Sequence, residues 1–262
     1  MDLDLTGRRA FVCGSTQGIG KAVAIELAAL GAGITLIARN ENALKNTLGD
    51  LSDGQGQSHD YICADFDRPK ELKEAIDQYL AGNDGAHILI NNSGGPPAGL
   101  AIDADLEEFR VAFNRHLICN QILTQALAPF MKEAGYGRIV NIISTSVKAP
   151  IPGLGVSNTI RGGVASWAKT LANELGPHGI TVNNVLPGAT MTARLDSIIK
   201  NNAAKAGTTQ EEVREKMKSE IPARRFAGAE EVAAAVAFLS SPAAGYINGT
   251  NLPVDGGRLP NL

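Results

Sequence analysis

Cysteine is scarce: Cys13, Cys63 and Cys119 are the only thiols in 262 residues, widely spaced and with no C-x-x-C pair. That spacing excludes a disulfide framework and a cysteine zinc site, and reads as reduced, mostly buried thiols. An excess of positive charge is also missing. Lys and Arg number 24 against 27 Asp and Glu, a formal charge of −3, which offers no electropositive face to nucleic acid. No run of about 18 uncharged apolar residues occurs, so no membrane-spanning helix is expected. The opening Met1-Asp2-Leu3-Asp4 is acidic and lacks a basic stretch followed by an apolar core, so no secretory signal is expected. The four histidines form no metal-binding constellation with the cysteines or acids. These absences predict a cytoplasmic protein without nucleic-acid, membrane or metal partners.

What is present is apolar residues, 44% of the chain, and 29 glycines. The stretch that organises the rest is Gly14-Ser15-Thr16-Gln17-Gly18-Ile19-Gly20, after an apolar run and before an amphipathic one. Strand, glycine turn and helix together make a dinucleotide-binding unit. Gly14 allows a sharp turn and Gly18 a close backbone approach to pyrophosphate, while Gly20 lets helix and strand pack. β-Branched runs at 9–13, 33–38, 58–63, 86–91, 138–143, 181–186 and 250–254 alternate with helical patterns near 18–30, 69–80, 105–134, 157–175 and 229–240. That alternation predicts an α/β fold over residues 1–262: a single domain with a Rossmann-like, doubly wound parallel sheet of about seven strands.

Two segments interrupt the rhythm. Asn92 to Leu100 contains Gly94-Gly95-Pro96-Pro97 and follows a strand's C-terminal end, the edge where open α/β sheets bind ligands. Gly95 and Pro96 are therefore expected to line a substrate pocket. The second segment, 189–225, is rich in Asn, Lys and Glu, with an exposed helical pattern at 209–219. It is expected to be a substrate lid over the same edge, the alternative being a solvated surface excursion.

With these motifs in place the chain resembles the short-chain dehydrogenase/reductase family over nearly its whole length, most closely the branch of 3-oxoacyl-acyl-carrier-protein reductases. The resemblance rests on the glycine motif, Asp65, Asn91-Asn92-Ser93-Gly94, Gly137-Arg138-Ile139-Val140-Asn141-Ile142, and Leu171-Ala172-Asn173-Glu174-Leu175. It continues through Val182-Asn183-Asn184-Val185 with Pro187-Gly188, then Tyr246-Ile247-Asn248-Gly249 and Val254-Asp255-Gly256-Gly257. It implies a nicotinamide dinucleotide and a homodimer or homotetramer. It also implies Asp65 at the adenine, Asn92, Ser93 and Gly94 along the ribose side, and Pro187, Gly188, Thr190 and Thr192 at the carboxamide. The second predicted strand ends Ala38-Arg39-Asn40, with no carboxylate to hold two ribose hydroxyls. Arg39 suits a 2′-phosphate instead, so NADP(H) is favoured over NAD(H).

The match fails where proton transfer belongs. The family carries a serine, a tyrosine thirteen positions on, and a lysine four beyond that, with an asparagine on the preceding helix. Here those positions read Ser144, Ser157, Arg161 and His116. Ser157 is a poor general acid, and loss of a positioned acid costs about 10²–10⁴ in rate. Arg161 keeps a positive charge for ribose hydroxyls but does not pass a proton on.

Three readings stay open at this point. In the first, the chain reduces a 3-oxoacyl-like carbonyl with His116, as an imidazolium, giving the proton; the alternative for His116 is packing alone. In the second it reduces a conjugated C=C, where fixed donors stabilise an enolate. In the third it binds dinucleotide without turnover. Lys148, just beyond Ser144, is either a substrate contact or donor, or a solvated loop residue. His59, His87 and His178 read as structural or solvated, and Trp167 as core or subunit interface.

Overall fold

The computed structural model describes residues 1–261 of the chain; Leu262 lies outside the described residues. Seven parallel strands run in the order β3-β2-β1-β4-β5-β6-β7, namely Asp60–Cys63, Gly33–Ala38, Arg9–Cys13, Ile88–Asn91, Gly137–Ile142, Ile180–Pro187 and Asn251–Val254. The expected single α/β domain with a Rossmann-like sheet is what forms. Period-two alternation sorts the apolar side chains to two faces. Ala10, Val12, Ile34, Leu36, Ile88 and Ile90 meet α1 (Gly18–Ala29), α2 (Glu41–Leu48) and α9 (Ala229–Ser240) on one face. Phe11, Ile37, Leu89 and Ile139 meet α3 (Pro69–Leu80), α5 (Cys119–Glu133) and α6 (Gly155–Leu175) on the other.

Strand order reverses between β1 and β4, and the crevice beyond their C-terminal ends is the ligand-binding position of such sheets. An asparagine ladder ties this edge together. Asn91 donates to Asn141 at 2.8 Å, Asn141 to Asn184 at 2.9 Å and Asn184 to Asn251 at 2.8 Å. The four residues are in direct register across β4, β5, β6 and β7. Each such bond contributes about 0.5–1.5 kcal/mol.

Two strands start two residues later than their apolar runs, at Asp60 and Ile88 rather than 58 and 86. Imidazoles stand in for the ladder there: His59 Nδ1 accepts the Ile34 N–H and His87 Nδ1 the Arg9 N–H, both at 3.1 Å. The long helical run 105–134 is broken into α4 (Leu106–Phe113), a π-helical turn (Asn114–Ile118) and α5. The second interruption carries two helices, α7 (Ala193–Ala206) and α8 (Gln210–Ser219), where the sequence pattern marked one. Leu195, Ile199 and Ala203 of α7 pack on Val213, Ile221 and Phe226 as a small separate core. The outer face of α8 is solvated, and a capping box between Thr209 and Glu212 starts it.

Of the thiols, Cys13 and Cys119 are buried and Cys63 is exposed. Burial pushes Cys119 up to about 12 and raises Cys13 further, so neither forms a thiolate. Trp167 packs against the core and donates to Gln121 at 2.7 Å. Among the described residues no helix is long and apolar enough to cross a membrane, and no group of His, Cys, Asp and Glu has a metal-holding arrangement.

Candidate active site

The glycine motif forms the turn between β1 and α1. Gly14 and Gly18 adopt φ of +58° and +53°, a region that strains any other residue. A Cβ on Gly20 would collide with the Gly14 carbonyl oxygen and lie 2.6 Å from Asn92 Nδ2. Asn92 closes the turn from the β4 side, donating to the carbonyls of Cys13 and Gly14, each at 3.3 Å. Ser15 is buried and its hydroxyl donates to the Ile37 carbonyl. Thr16 is half-buried and Gln17 exposed, while Ile19 packs on the core. Gln17 is extended and gives α1 no side-chain cap, so the first-turn N–H groups face the crevice as donors for a phosphate.

Beyond β2, Arg39 is exposed, and no side-chain partner engages its guanidinium among the described residues. Asp65, beyond β3, is half-buried and accepts the Asp67 N–H at 3.0 Å. On the other side of the crevice, Pro187 ends β6 and Gly188 donates to Val254 at 2.9 Å. The Thr190 hydroxyl then donates to the Gly188 carbonyl, and Thr192 caps α7 by accepting the Leu195 N–H. A Cβ on Gly18 would lie 3.2 Å from Thr192 Cγ2, so the segment after β6 reaches the glycine turn. These features fit a dinucleotide: a backbone cradle, free helix N–H groups and an unpaired cation at the end of β2.

The reaction side is built on β4, β5, α6 and the π-helical turn. Ser144 follows β5 and its hydroxyl accepts the Ser146 N–H at 3.1 Å. Ser157 and Arg161 are both buried on α6, four residues apart and therefore on one face. Arg161 donates to the Ile142 carbonyl at 3.2 Å. Burial and the neighbouring Arg194 pull it down to about 10, so it keeps its charge at neutral pH.

His116 lies in the π-helical turn, buried, with Nδ1 2.8 Å from Ser93 Oγ and Nε2 without a partner. Burial first, then the charges of Arg161 and Arg115, push its pKa well below the usual imidazole value. Both causes, burial before the two guanidinium charges, disfavour the charged ring, which weighs against the imidazolium reading. The packing role is supported by its hydrogen bond to Ser93.

A cavity of about 610 Å³ is lined by Gly95, Pro96, Arg115 and Arg194 together with Asp105, Glu107 and Glu108. Gly95 and Pro96, expected at a substrate pocket, are among its lining residues. Lys148 is absent from this lining. It ends the short turn after Ser144, and its carbonyl accepts from Asn261 at 3.4 Å, so the structure does not bring it to the cavity. Arg115 and Arg194 replace it there. Arg194 donates to the carbonyls of Gly95 and Pro96, the latter at 2.8 Å, and Arg115 to that of Gly94 at 3.2 Å. The only hint of Arg194 in the sequence is its position just after the Pro187–Thr192 motif; nothing pointed to Arg115.

The family model described as enoyl-(acyl carrier protein) reductase matches residues 14–258. The NADPH-dependent reductase BacG of Bacillus subtilis is 28% identical over 98% of this chain and 100% of its own length. The 3-oxoacyl-[acyl-carrier-protein] reductase FabG of Haemophilus influenzae is 32% identical over 97% of this chain and 98% of its own. L-Sorbose reductase from Gluconobacter frateurii, solved with NADPH and L-sorbose, superposes with a TM-score of 0.93 at 28% identity, covering 100% of both chains. Glycine cradle, sheet order and full-length matches lead to one conclusion: the chain belongs to the short-chain dehydrogenase/reductase family.

Proposed function

We propose that this chain is an NADPH-dependent reductase that adds hydride to a conjugated C=C bond of a small carbonyl compound. The observation that carries the reading is that Ser157 and Arg161, buried on one face of α6, stand where the family has its tyrosine and lysine, with a buried His116 whose Nε2 has no partner among the described residues. NADPH rather than NADH is favoured by Arg39 at the end of β2 and by NADPH in the names of two relatives. Gly14, Gly18, Gly20 and the α1 N–H groups would hold the pyrophosphate, and Asp65, Asn92–Gly94 and Pro187–Thr192 would hold the adenine, ribose and carboxamide ends. When bound, the reduced dinucleotide supplies a hydride to carbon.

Reduction of a simple ketone leaves an alkoxide that must take a proton as it forms, and this site presents no acid for it. Reduction of an enone instead moves the π pair onto the carbonyl oxygen as an enolate, and water later protonates the α-carbon. Arg161 and the hydroxyls of Ser144 and Ser157 are preorganised to stabilise that oxygen without giving up a proton. His116 orients Ser93 through its 2.8 Å contact. The segment 189–225 acts as a lid, a role supported by Arg194 on the Gly95–Pro96 loop and by Thr192 against Gly18. Cytoplasmic location and a homodimeric or homotetrameric state belong to the same proposal and rest on family membership.

A second reading, carbonyl reduction of a 3-oxoacyl-like substrate, is favoured by the 32% identity to FabG. Loss of NADPH absorbance over a panel of enones and their saturated ketones separates the two. We expect enones to turn over faster than ketones by about 10²-fold. Turnover confined to ketones would establish the second reading, and NADPH binding without turnover of any compound would make the chain a dinucleotide-binding protein.

A further inference from the structure

Two guanidinium groups without a carboxylate partner among the described residues converge behind Gly95. Arg161 and Arg194 belong to α6 and α7, yet their Nη2 atoms lie 3.4 and 3.5 Å from the point where a Cβ on Gly95 would sit. Two guanidinium groups so close repel one another, and Arg194 contributes to the lowered pKa of Arg161. Arg115 has its own carboxylate: its Nε donates to Asp67 at 2.8 Å and its Nη2 to the same oxygen. Among the described residues no carboxylate pairs with Arg161 or Arg194. Their acceptors are backbone carbonyls; Arg194 lines the cavity, while Arg161 is buried behind Gly95 and outside that lining. Arg161 is buried and Arg194 exposed, so the buried guanidinium is the one that lacks a counter-charge, and an anion held by Arg194 beside it would supply one.

We propose that Arg194, with Arg161 behind Gly95, forms the binding site for a carboxylate on the substrate. This rests on the small-molecule reductase reading above and narrows its substrate class to free unsaturated keto acids. A planar guanidinium fork matches a carboxylate in two parallel hydrogen bonds. The same lining carries Asp105, Glu107 and Glu108, so a second negative charge on the substrate is disfavoured. Because Arg194 sits at the start of α7 and already touches the Gly95–Pro96 loop, anion binding there also draws the lid onto the crevice.

The test uses benzoylpropionate and its methyl ester, which differ only in the anion, titrated calorimetrically onto the full chain loaded with oxidised NADP. No turnover occurs in that complex, so the result is independent of whether enones are reduced. We expect the acid to bind about tenfold tighter than the ester or better. Arg194→Gln should erase the difference, and Arg194→Lys should restore part of it as a point charge. Affinity for NADP should change by less than about twofold in both variants. Acid binding no tighter than ester binding, including no binding of either, overturns the inference. So does a loss of NADP affinity in Arg194→Gln with the acid unaffected, which would assign the guanidinium to the dinucleotide's phosphates.

Discussion

The loop after β1 and the loop after β4 flank the same crevice and are both glycine-rich, but they are held by different forces. In the first, shape comes from close packing: a Cβ at Gly14 would lie 2.7 Å from Asn92 Nδ2, and one at Gly20 would meet the Gly14 carbonyl. In the second there is room, with nothing within 4 Å of a Cβ on Gly94. Its carbonyls are held by guanidinium groups of Arg115 and Arg194 brought in from the π-helical turn and α7. Backbone fitted to backbone makes a cradle for a ligand part of constant shape. Charge imported on long side chains makes a site whose specificity can change without disturbing the sheet.

The largest expected effect breaks the first loop. Gly20→Ala forces backbone against backbone, and overpacking of this kind costs about 1–3 kcal/mol. In a domain of this size that lowers Tm by roughly 2–4 °C per kcal/mol, with NADPH binding lost as the turn opens. Thermal melts and fluorescence titration check both. Arg39→Ala comes next. Removing the cation that faces the 2′-phosphate should cut the NADPH-over-NADH preference by about tenfold to hundredfold, the equivalent of a charge-assisted bond worth about 1.5–3 kcal/mol. An unchanged preference would move nucleotide selection away from the end of β2.

These two predictions concern what was readable in the sequence, and the reason is locality. Strand, turn and helix of the first loop lie within one short segment, and Arg39 is adjacent to its strand, so residue type and position were sufficient. The second loop is assembled across sequence separations of 21 and 98 residues, which no local pattern encodes. The π-helical turn was equally hidden, since the apolar periodicity of 105–134 fits one uninterrupted helix. That turn carries both Arg115 and His116. The charge state of His116 was illegible for a further reason: it is set by burial and by Arg161, a residue on another helix.

The buried imidazole sharpens the comparison through pH. The pKa of His116, and that of His87 at the start of β4, are lowered in the folded chain, in both cases mainly by burial. The unfolded chain therefore takes up protons below about pH 6.5 that the folded chain does not, and stability falls as pH drops through that value. The slope reaches about 1.4 kcal/mol per pH unit for each such group until its folded pKa is passed. Urea midpoints between pH 7 and 5 measure it, and His116→Gln should flatten the profile. A histidine held as imidazolium would show the opposite slope, with stability gained on acidification.

The smallest effect is the most discriminating, because one substitution type should change sign between the loops. Gly94 is exposed, lies outside the left-handed backbone region, and has open space where a Cβ would go. Alanine there meets no obstacle and narrows the unfolded ensemble, so Gly94→Ala should leave stability unchanged or raise it by up to about 1 kcal/mol. Denaturation midpoints of Gly20→Ala and Gly94→Ala in parallel decide the matter. If the second also destabilises, the loop after β4 is held by packing as the first one is, and the guanidinium contacts only accompany a shape set elsewhere. If it does not, the Gly94–Pro96 backbone owes its position to Arg115 and Arg194, and replacing those arginines would reshape the cavity while the glycine cradle stays in place.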